Sequence, residues 1–265
     1  MRLVFLGSPE AAVPSLEALV AAGHDIVLVV TQPDRRRGRG NDLVPTPVKA
    51  AALQHGLAVT DRVDDVLDVE AELGVVVAYG KIIKPHVLDA LPMVNVHFSL
   101  LPRWRGAAPV ERAILAGDDK TGVCLMRVDV GLDTGDVFAR AEIDIDDEIS
   151  AIDLTARLAD IGAGLLITKL REGLGDGEPQ QGEPTYAAKI APAELELDLS
   201  KPADELVRLV RVGRAWTTAK GKRLIVWRAR MVDGRFEPIE VQPEGKGRMT
   251  AADWMRGVGD VQLGT

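Results

Sequence analysis

Residues 1–30 read MRLVFLGSPEAAVPSLEALVAAGHDIVLVV, and in this stretch two apolar runs flank a helical pattern. Leu3 to Leu6 has the length of a short buried strand, and Ile26 to Val30 is a continuous apolar run typical of a parallel strand. Between them, GSPE at residues 7–10 offers a turn glycine, a serine to cap a helix and a proline for its first turn. The helical pattern then continues to Gly23. The sequence therefore predicts a β-α-β unit at the amino terminus.

The alternation of strands and helices continues beyond this unit. Short apolar runs at 57–60, 75–78 and 94–98 are separated by helical or polar stretches, which indicates a mainly parallel sheet with helices on both faces. Residues 137–145 alternate apolar and polar side chains, as expected of an antiparallel or edge strand. We therefore predict an α/β fold with a Rossmann-like sheet. Because the first turn holds one glycine rather than G-x-G-x-x-G, we expect neither NAD nor FAD.

The composition limits the class of protein. The chain has 265 residues, 46% of them hydrophobic and 27% charged, with a formal net charge of -8. This length suits one large domain or two unequal ones. The negative charge argues against general binding to nucleic acids or membrane surfaces, although a global sum can hide a local basic face. No apolar run is long enough for a signal peptide or a membrane span, so we expect a cytoplasmic protein without membrane partners.

We expect neither a disulfide nor a metal site. Cys124 is the only cysteine and lies in the apolar run GVCLM, which indicates a buried core residue. The acidic run from Asp144 to Glu148 has no companion residues at metal-ligand spacing.

The last third of the chain differs in charge from the rest. From Lys201 to Arg235, ten lysines and arginines stand against three acids, a local net charge of +7 in an acidic protein. This asymmetry indicates a surface that binds nucleic acid. A helix is predicted near 203–212, and strands near 223–230 and 236–241 predict a small β-rich module.

The boundaries between domains follow from composition. Residues 175–184, GDGEPQQGEP, contain no apolar residue and are rich in glycine and proline, which is typical of a linker. We place a catalytic domain at residues 1–178, a linker at 179–194 and the β-rich module at 195–265.

A basic segment also occurs near the amino terminus. Residues 31–46, TQPDRRRGRGNDLVPT, show neither helical nor strand periodicity and form a longer connection than is usual in a compact domain. The segment contains Arg35, Arg36, Arg37 and Arg39. This composition suits the binding of a polyanion, and a solvated charged loop is the alternative.

The side chains best suited to catalysis lie in residues 94–109, VNVHFSLLPRWRGAAP. Asn95 and His97 alternate with apolar residues, so both project from one face of a strand near its carboxyl end, where ligands bind in parallel sheets. A histidine can take a proton from an attacking amine or, in its charged form, face a developing oxyanion. An asparagine amide can donate to the same oxyanion, and a carboxylate can fix the tautomer and orientation of the histidine. The turn GLDTGD at residues 131–136 supplies Asp133 or Asp136. Together these residues suit acyl transfer to an amine.

Four motifs identify a family. NVHFSLLPRWRGAAP, VDVGLDTGD, TQPDRRRGRG and VVAYGKI closely resemble the methionyl-tRNA formyltransferases, within the wider 10-formyltetrahydrofolate-dependent formyltransferase fold. The resemblance extends from Met1 to about Leu174. It implies transfer of a formyl group from 10-formyltetrahydrofolate, as co-substrate, to initiator methionyl-tRNA. It also implies an oligonucleotide-binding-like (OB-like) carboxyl-terminal barrel, here reduced, and we expect a monomer.

The resemblance also assigns residues to roles. The catalytic set is Asn95, His97 and Asp133, since the L-D-T-G register selects Asp133 over Asp136. The segment that holds the folate is Ser99, Leu100, Leu101 and Pro102. The arginine-rich segment, with Arg39 on the family's G-R-G arginine, and the basic module supply the tRNA contacts, which are Arg35, Arg36, Arg37, Arg39, Arg208, Arg211, Arg214, Lys220, Lys222 and Arg223.

Two departures from the family keep other functions open. Ala11 stands where the family usually has a phenylalanine near the folate, and the carboxyl-terminal module is shorter than the family's barrel, with only VGRAWT in place of its N-P-W-P-G-A segment. A lost barrel favours formyl transfer to a small amine such as an amino sugar nucleotide, although the retained arginine segment does not. The third alternative is an RNA-binding protein without catalysis.

Overall fold

The computed structural model describes residues 1–37, 42–259 and 263–264 of the chain. They form two compact units. The first comprises Met1–Pro109, Thr121–Ile143 and Thr155–Ala187, and the second comprises Val110–Lys120, Asp144–Leu154 and the chain from Ala188 onward. The first unit thus extends into the segment interpreted as a linker, while the proposed functional boundaries at 178 and 195 stay a prediction. None of the described helices has the length and apolar character needed to cross a membrane.

The elements follow one another as strands and helices over most of the chain. In chain order they are β1 (Arg2–Gly7), α1 (Val13–Ala21), β2 (Asp25–Val30), β3 (Arg35–Arg37), β4 (Asp42–Val44), α2 (Pro47–Gln54), β5 (Val59–Thr60), β6 (Leu73–Val77), α3 (Pro85–Ala90), β7 (Met93–His97), β8 (Arg105–Gly106), α4 (Pro109–Ala116), β9 (Lys120–Arg127), β10 (Val137–Asp144), α5 (Ala151–Glu172), β11 (Tyr186–Ala187), α6 (Ala203–Val212), β12 (Ala215–Ala219), β13 (Lys222–Val232), β14 (Arg235–Pro243), β15 (Met249–Thr250) and α7 (Ala251–Val258).

A seven-stranded sheet forms the centre of the first unit. Its strand order is β10-β9-β7-β6-β1-β2-β5. The pairs among β5, β2, β1, β6 and β7 are parallel, and β9 runs antiparallel to β7. The prediction of a mainly parallel sheet with residues 137–145 at its edge is confirmed. The order places β7, which carries Asn95 and His97, away from both edges.

Helices cover both faces of this sheet. Val4 and Leu6 of β1 pack in one buried cluster with Val87 of α3, because alternate residues of a buried strand face opposite sides. On the other face, Gly162 of α5 approaches β7 so closely that a Cβ there would lie 2.6 Å from the Val96 side chain. Glycine therefore allows α5 to pack tightly against β7.

The first helix begins later than the sequence predicts. Pro9 precedes a short 3-10 turn at Glu10–Ala12, and α1 starts at Val13. Ser8 makes no helix cap. Its Oγ instead accepts a hydrogen bond from the Gln32 backbone N–H at 3.1 Å, which satisfies a polar group where the chain leaves β2. The motif GSPE predicts a helix-capping role for Ser8, which is the commoner role of a serine before a helix.

The described parts of the arginine-rich segment form two short strands, where the sequence predicts an irregular loop. β3 and β4 pair as an antiparallel hairpin, with Arg36 opposite Leu43. The Thr31 and Thr46 hydroxyl oxygens lie 2.6 Å apart at its base, and Lys49 Nζ lies 2.8 Å from Asp34 Oδ2. Strands of three residues are too short to produce a recognisable alternation, which explains why the sequence predicted an irregular loop. Residues 38–41, including Arg39, lie outside the described residues.

The second unit contains a four-stranded sheet, β12-β13-β14-β15, whose neighbouring strands are antiparallel. Leu206 and Val210 of α6 and Trp254 of α7 pack with Val226 and Val241 of the sheet. The prediction of a small β-rich module with a helix at 203–212 is confirmed. β12, β15 and α7 were not predicted, because VGRAWT and the tail lack a clear period.

Candidate active site

β7 presents Asn95 and His97 on the face opposite α5. The two residues lie opposite Met126 and Cys124 of β9, two positions apart, so they share a face. The Asn95 side chain is half-buried, and its amide makes no hydrogen bond within the part of the chain that the structure describes. The amide is therefore available to a ligand.

His97 is held on both sides of its ring. Its side chain is buried, with Nε2 3.0 Å from the Trp104 carbonyl oxygen and Nδ1 3.7 Å from Asp133 Oδ2. Because a carbonyl only accepts, Nε2 is the donor in the first contact. The 3.7 Å separation between Nδ1 and Asp133 is longer than a hydrogen bond. The two neighbours together fix the orientation of the imidazole ring.

Asp133 reaches this position through an unusual backbone conformation. Its φ is +50°, in the left-handed region that non-glycine residues seldom adopt. Its Oδ2 accepts a hydrogen bond from the Gly106 N–H at 2.8 Å. Asp136 lies elsewhere, 3.9 Å from Arg127. The geometry therefore brings Asp133, and not Asp136, to His97.

Three residues that the sequence did not single out complete this arrangement. Trp104 supplies the carbonyl that receives His97, and its own φ is +64°. Gly106 has a φ of +123°, and a Cβ there would lie 2.9 Å from the Ala187 carbonyl oxygen, so only glycine fits. Gln180 donates to the Asp133 carbonyl. Trp104 and Gly106 belong to the W-R-G of the sequence motif at residues 94–109, which is a local signal for both. No local pattern points to Gln180.

The segment Ser99–Pro102 forms a tight turn after β7. Ser99 is fully buried and donates its hydroxyl to the Arg103 carbonyl at 2.6 Å. Leu101 packs in an apolar cluster with Cys124 and Met126, while Leu100 and Pro102 are half-buried. The two buried residues therefore shape the turn, and Leu100 and Pro102 are accessible to a ligand.

A cavity of about 710 Å³ lies beside the start of β7. Met93 and Val94 of β7 line it, together with Asp129–Gly131 from the loop that leads to Asp133. The other lining residues are Leu73, Leu88, Asp89, Pro92, Arg127, Val128, Phe138, Leu174 and Gly175. The cavity adjoins the amino-terminal starts of β6 and β7, and its lining includes neither His97 nor any residue of Ser99–Pro102. It is therefore separate from the candidate active site.

The basic residues predicted to contact tRNA divide into exposed and engaged side chains. Arg35 and Arg36 are exposed on β3 in the first unit. In the second unit the exposed residues are Arg214, Lys220, Lys222 and Arg223. Lys220 donates to the Val258 carbonyl, and Arg223 stacks on Trp216 at 4.3 Å, while Arg248 stacks on Trp227. The two tryptophans were not predicted to take part.

Arg208 and Arg211 are instead bound within the second unit. Arg208 Nη1 lies 2.8 Å from Asp204, and Arg211 donates to the Ile149 and Asp146 carbonyls at 2.9 and 2.6 Å. Burial lowers the pKa of the Arg211 guanidinium, although the Asp147 carboxylate acts in the opposite direction. Their assignment to the tRNA surface stays a prediction.

Comparisons with known proteins agree with the motifs. A family model described as formyl transferase matches residues 1–170. The methionyl-tRNA formyltransferase of Symbiobacterium thermophilum is 40% identical over an alignment of 309 residues, which covers 100% of this chain and 94% of that protein. That of Methylococcus capsulatus is 42% identical and covers 96% of each chain. Because the 309-residue alignment is longer than this chain, the first relative contains segments that this chain lacks.

Two solved structures share the fold. Methionyl-tRNA formyltransferase from Clostridium thermocellum aligns with a TM-score of 0.68 and 19% identity, covering 93% of this chain and 100% of that chain. An N-formyltransferase from Helicobacter canadensis, in complex with folinic acid and dTDP-3-aminofucose, aligns with a TM-score of 0.67 and 17% identity, covering 87% and 88%. At these identities the likeness concerns the fold alone.

Proposed function

The chain belongs to the formyl transferase family, and from this premise we propose that it transfers the formyl group of 10-formyltetrahydrofolate to the α-amino group of initiator methionyl-tRNA, for translation initiation. The observation that supports this chemistry most strongly is the buried contact between His97 and Asp133. His97 lies on β7, the same strand that presents Asn95. The assignment of methionyl-tRNA as the acceptor rests on the similarity to two methionyl-tRNA formyltransferases, which are 40% and 42% identical over nearly the whole chain. That similarity disfavours both an amino sugar acceptor and a non-catalytic role.

The reaction exchanges one bond to the formyl carbon for another. The neutral α-amino group, whose free pKa is about 8, attacks the formyl carbon on N10 of the folate and forms a tetrahedral oxyanion. The bond from that carbon to N10 then breaks. N10 gains the proton that the amine loses, so the products are formyl-methionyl-tRNA and tetrahydrofolate. No metal is part of the proposed reaction.

Two side chains stabilise the oxyanion in this proposal, and a third orients one of them. The Asn95 amide, which has no partner among the described residues, donates to it. The charged His97 ring adds a positive charge beside the reacting carbon. Asp133 holds that charge in place through the 3.7 Å contact with Nδ1. Burial strengthens both interactions because little water screens them.

We assign the folate donor to the turn at Ser99–Pro102, which follows directly after the carboxyl end of β7, where Asn95 and His97 lie. Leu100 and Pro102 provide accessible apolar surface near the end of β7. Ser99 and Leu101 support the turn from below.

We assign the phosphates of the tRNA to exposed basic side chains. Arg35 and Arg36 would bind near the acceptor end, and Arg214, Lys220, Lys222 and Arg223 would bind elsewhere on the tRNA. For Arg37 and Arg39 the same role is proposed from the sequence alone. We further propose that the enzyme acts as a cytoplasmic monomer.

A competition among acceptors tests the function. The purified protein is incubated with 10-formyltetrahydrofolate and either charged initiator methionyl-tRNA or a panel of amino sugar nucleotides, with His97→Ala as the control for catalysis by this site. We expect formyl-methionyl-tRNA as the product, formed by the wild type only. A higher kcat/KM for an amino sugar nucleotide would contradict the proposal.

A further inference from the structure

Residues 178–187, which we call the strap, lie beyond the 1–170 family match and within the segment interpreted as a linker. The strap is bound to the first unit at both ends. Glu178 pairs with Val137, and β11 pairs in parallel with β8, so that Tyr186 lies opposite Arg105. Both regions that it contacts carry residues next to His97. The strap is therefore part of the site rather than a free connection.

We propose that Gln180 of the strap is a positioning residue that sets the distance between Asp133 and His97 during formyl transfer. The proposal rests on the function proposed above and extends it to a residue that no motif identified. Gln180 does not contact His97. It acts on the turn that carries Asp133.

The Gln180 amide makes four contacts, which use its full hydrogen-bonding capacity. Nε2 donates to the carbonyl oxygens of Asp133 and Gly135, at 2.8 Å each. Oε1 accepts from Arg105 Nε at 3.0 Å and from Arg105 Nη2 at 2.6 Å. An amide has two N–H groups and two lone pairs, so all of them are occupied. Gln180 thereby joins the turn of Asp133 to β8.

These contacts act on a backbone conformation that needs support. Asp133 has a φ of +50°, and residues held in the left-handed region persist only where their surroundings fix them. The two carbonyls that Gln180 binds flank Thr134 and so hold both ends of the short turn. Loss of the two donors would let the turn relax and move the Asp133 carboxylate.

The strap also fixes the opposite side of the imidazole. Thr185 Oγ1 accepts the Trp104 N–H at 2.9 Å, and the Trp104 carbonyl accepts from His97. Gly106, paired with Ala187, donates to Asp133. Both partners of His97 are thus attached to one short segment. The strap therefore contacts the segments on both sides of the imidazole.

A small displacement has a large effect at this distance. His97 Nδ1 and Asp133 Oδ2 lie 3.7 Å apart, just beyond a hydrogen bond, so a shift of the carboxylate decides whether the bond forms in the reaction. A misplacement of about 1 Å in a catalytic arrangement lowers rates by about 10²-fold. A structural role alone would lower stability without separating kcat from KM.

The test compares Gln180→Glu with Gln181→Glu. Glutamate at 180 keeps acceptors for Arg105 but removes both donors and sets a carboxylate against two carbonyls. We expect kcat to fall by about 10 to 100-fold, with KM for methionyl-tRNA changed by less than about threefold. Gln181 is exposed, and the same change there adds the same charge one residue away, so its kcat should match the wild type. Thermal melts establish that both variants fold.

A double-mutant cycle separates positioning from an independent contribution. If Gln180 acts through Asp133, then Gln180→Glu made in the Asp133→Ala protein should lower kcat by less than about threefold further. Equal losses in the two backgrounds would overturn the proposal, and so would a wild-type kcat for Gln180→Glu alone.

A readout without turnover separates this proposal from the proposed function. The imidazole ¹⁵N shifts of His97, assigned with His97→Ala, report its protonation and hydrogen bonds. Gln180→Glu should move these shifts and Gln181→Glu should not. A wild type that formylates no methionyl-tRNA would overturn the function alone. Unchanged His97 shifts in Gln180→Glu would overturn the positioning role alone.

Discussion

The two units of the molecule hold their proposed functional residues in opposite ways. In the first unit, His97 and Asp133 are largely buried and are tied to neighbouring loops by hydrogen bonds from Gly106 and Gln180. In the second unit, Arg214, Lys222 and Arg223 are exposed, whereas the half-buried Arg208 and Arg211 bind groups of their own unit. The difference corresponds to two proposed tasks, bond exchange and phosphate binding, and the exposed Arg35 and Arg36 of the first unit belong with the second task.

The two tasks differ in how precisely the side chains must be positioned. Stabilising an oxyanion depends on donors within about 3 Å of one atom, so the residues must be fixed by their surroundings. Attraction between arginines and phosphates acts over about a Debye length, roughly 8 Å, and tolerates mobile side chains. A shortened second unit is therefore compatible with unchanged chemistry in the first.

The largest effect is expected in the first unit. Asn95→Ala or His97→Ala should lower kcat by about 10² to 10³-fold, because each removes one group that stabilises the oxyanion. KM for tRNA should change little, since tRNA phosphates are bound elsewhere. Steady-state formylation kinetics measure both, with His86→Ala, on an exposed surface histidine, as the control. Near-normal turnover in either variant would contradict the proposal that Asn95 and His97 stabilise the oxyanion.

The next effect concerns the second unit. Changing Arg214, Lys222 and Arg223 together to alanine should raise KM for methionyl-tRNA by about tenfold and reduce the salt slope by about one per lost phosphate contact, with kcat unchanged. A charge-matched control changes Arg62, Arg157 and Arg171, which are exposed in the first unit. If the control raised KM as much, the binding would follow net charge rather than this surface.

A smaller effect distinguishes exposed from engaged arginines. Arg211→Ala leaves the Ile149 and Asp146 carbonyls without their donor and should lower the free energy of unfolding by about 1–3 kcal/mol. Its effect on KM for tRNA should be smaller than that of Arg223→Ala. Chemical denaturation and formylation kinetics measure the two quantities. The reverse order of KM effects would assign Arg211 to the tRNA surface itself.

The smallest effect is expected at Tyr79, in the core of the first unit. Its hydroxyl is buried without a hydrogen-bond partner among the described residues, so Tyr79→Phe should change stability by less than about 1 kcal/mol and leave turnover unchanged. Burial raises the pKa of Tyr79, with Asp61 adding to the shift.

The raised pKa of Tyr79 also gives a pH dependence with a definite sign. The folded state favours the protonated phenol, so this group's contribution is fully present below its unfolded pKa of about 10 and is lost as pH rises through the higher folded pKa. Denaturation at pH 9 and pH 11 should therefore show a smaller loss of stability for Tyr79→Phe than for the wild type. An equal loss would mean that Tyr79 is not protected from ionisation.

Local patterns in the sequence were sufficient for part of the site. The alternation around Asn95 and His97 predicted a strand and a shared face, and the L-D-T-G register selected Asp133, which lies beside His97. The parallel sheet also followed from short apolar runs. These features depend on residues close together in the chain or on repeated patterns.

Other features had no local signal. Gln180 reaches Asp133 across 47 positions, and a side chain that binds backbone carbonyls leaves no periodicity. Residues 175–184 looked like a linker because they lack apolar side chains, yet hydrogen bonds from Gln180 and Glu178 attach them to the first unit. The guanidinium groups of Arg208 and Arg211 likewise bind partners within the second unit. A count of charges along the sequence does not show such contacts.

A salt series on the wild-type enzyme separates tRNA binding from the chemical step. Formylation of initiator methionyl-tRNA is measured between 50 and 200 mM salt, a range over which several phosphate contacts lower affinity by orders of magnitude. Because binding and chemistry use different residues, log kcat/KM should fall steeply and linearly with log salt while kcat stays constant. A flat kcat/KM, or a kcat that falls in parallel, would contradict this expectation.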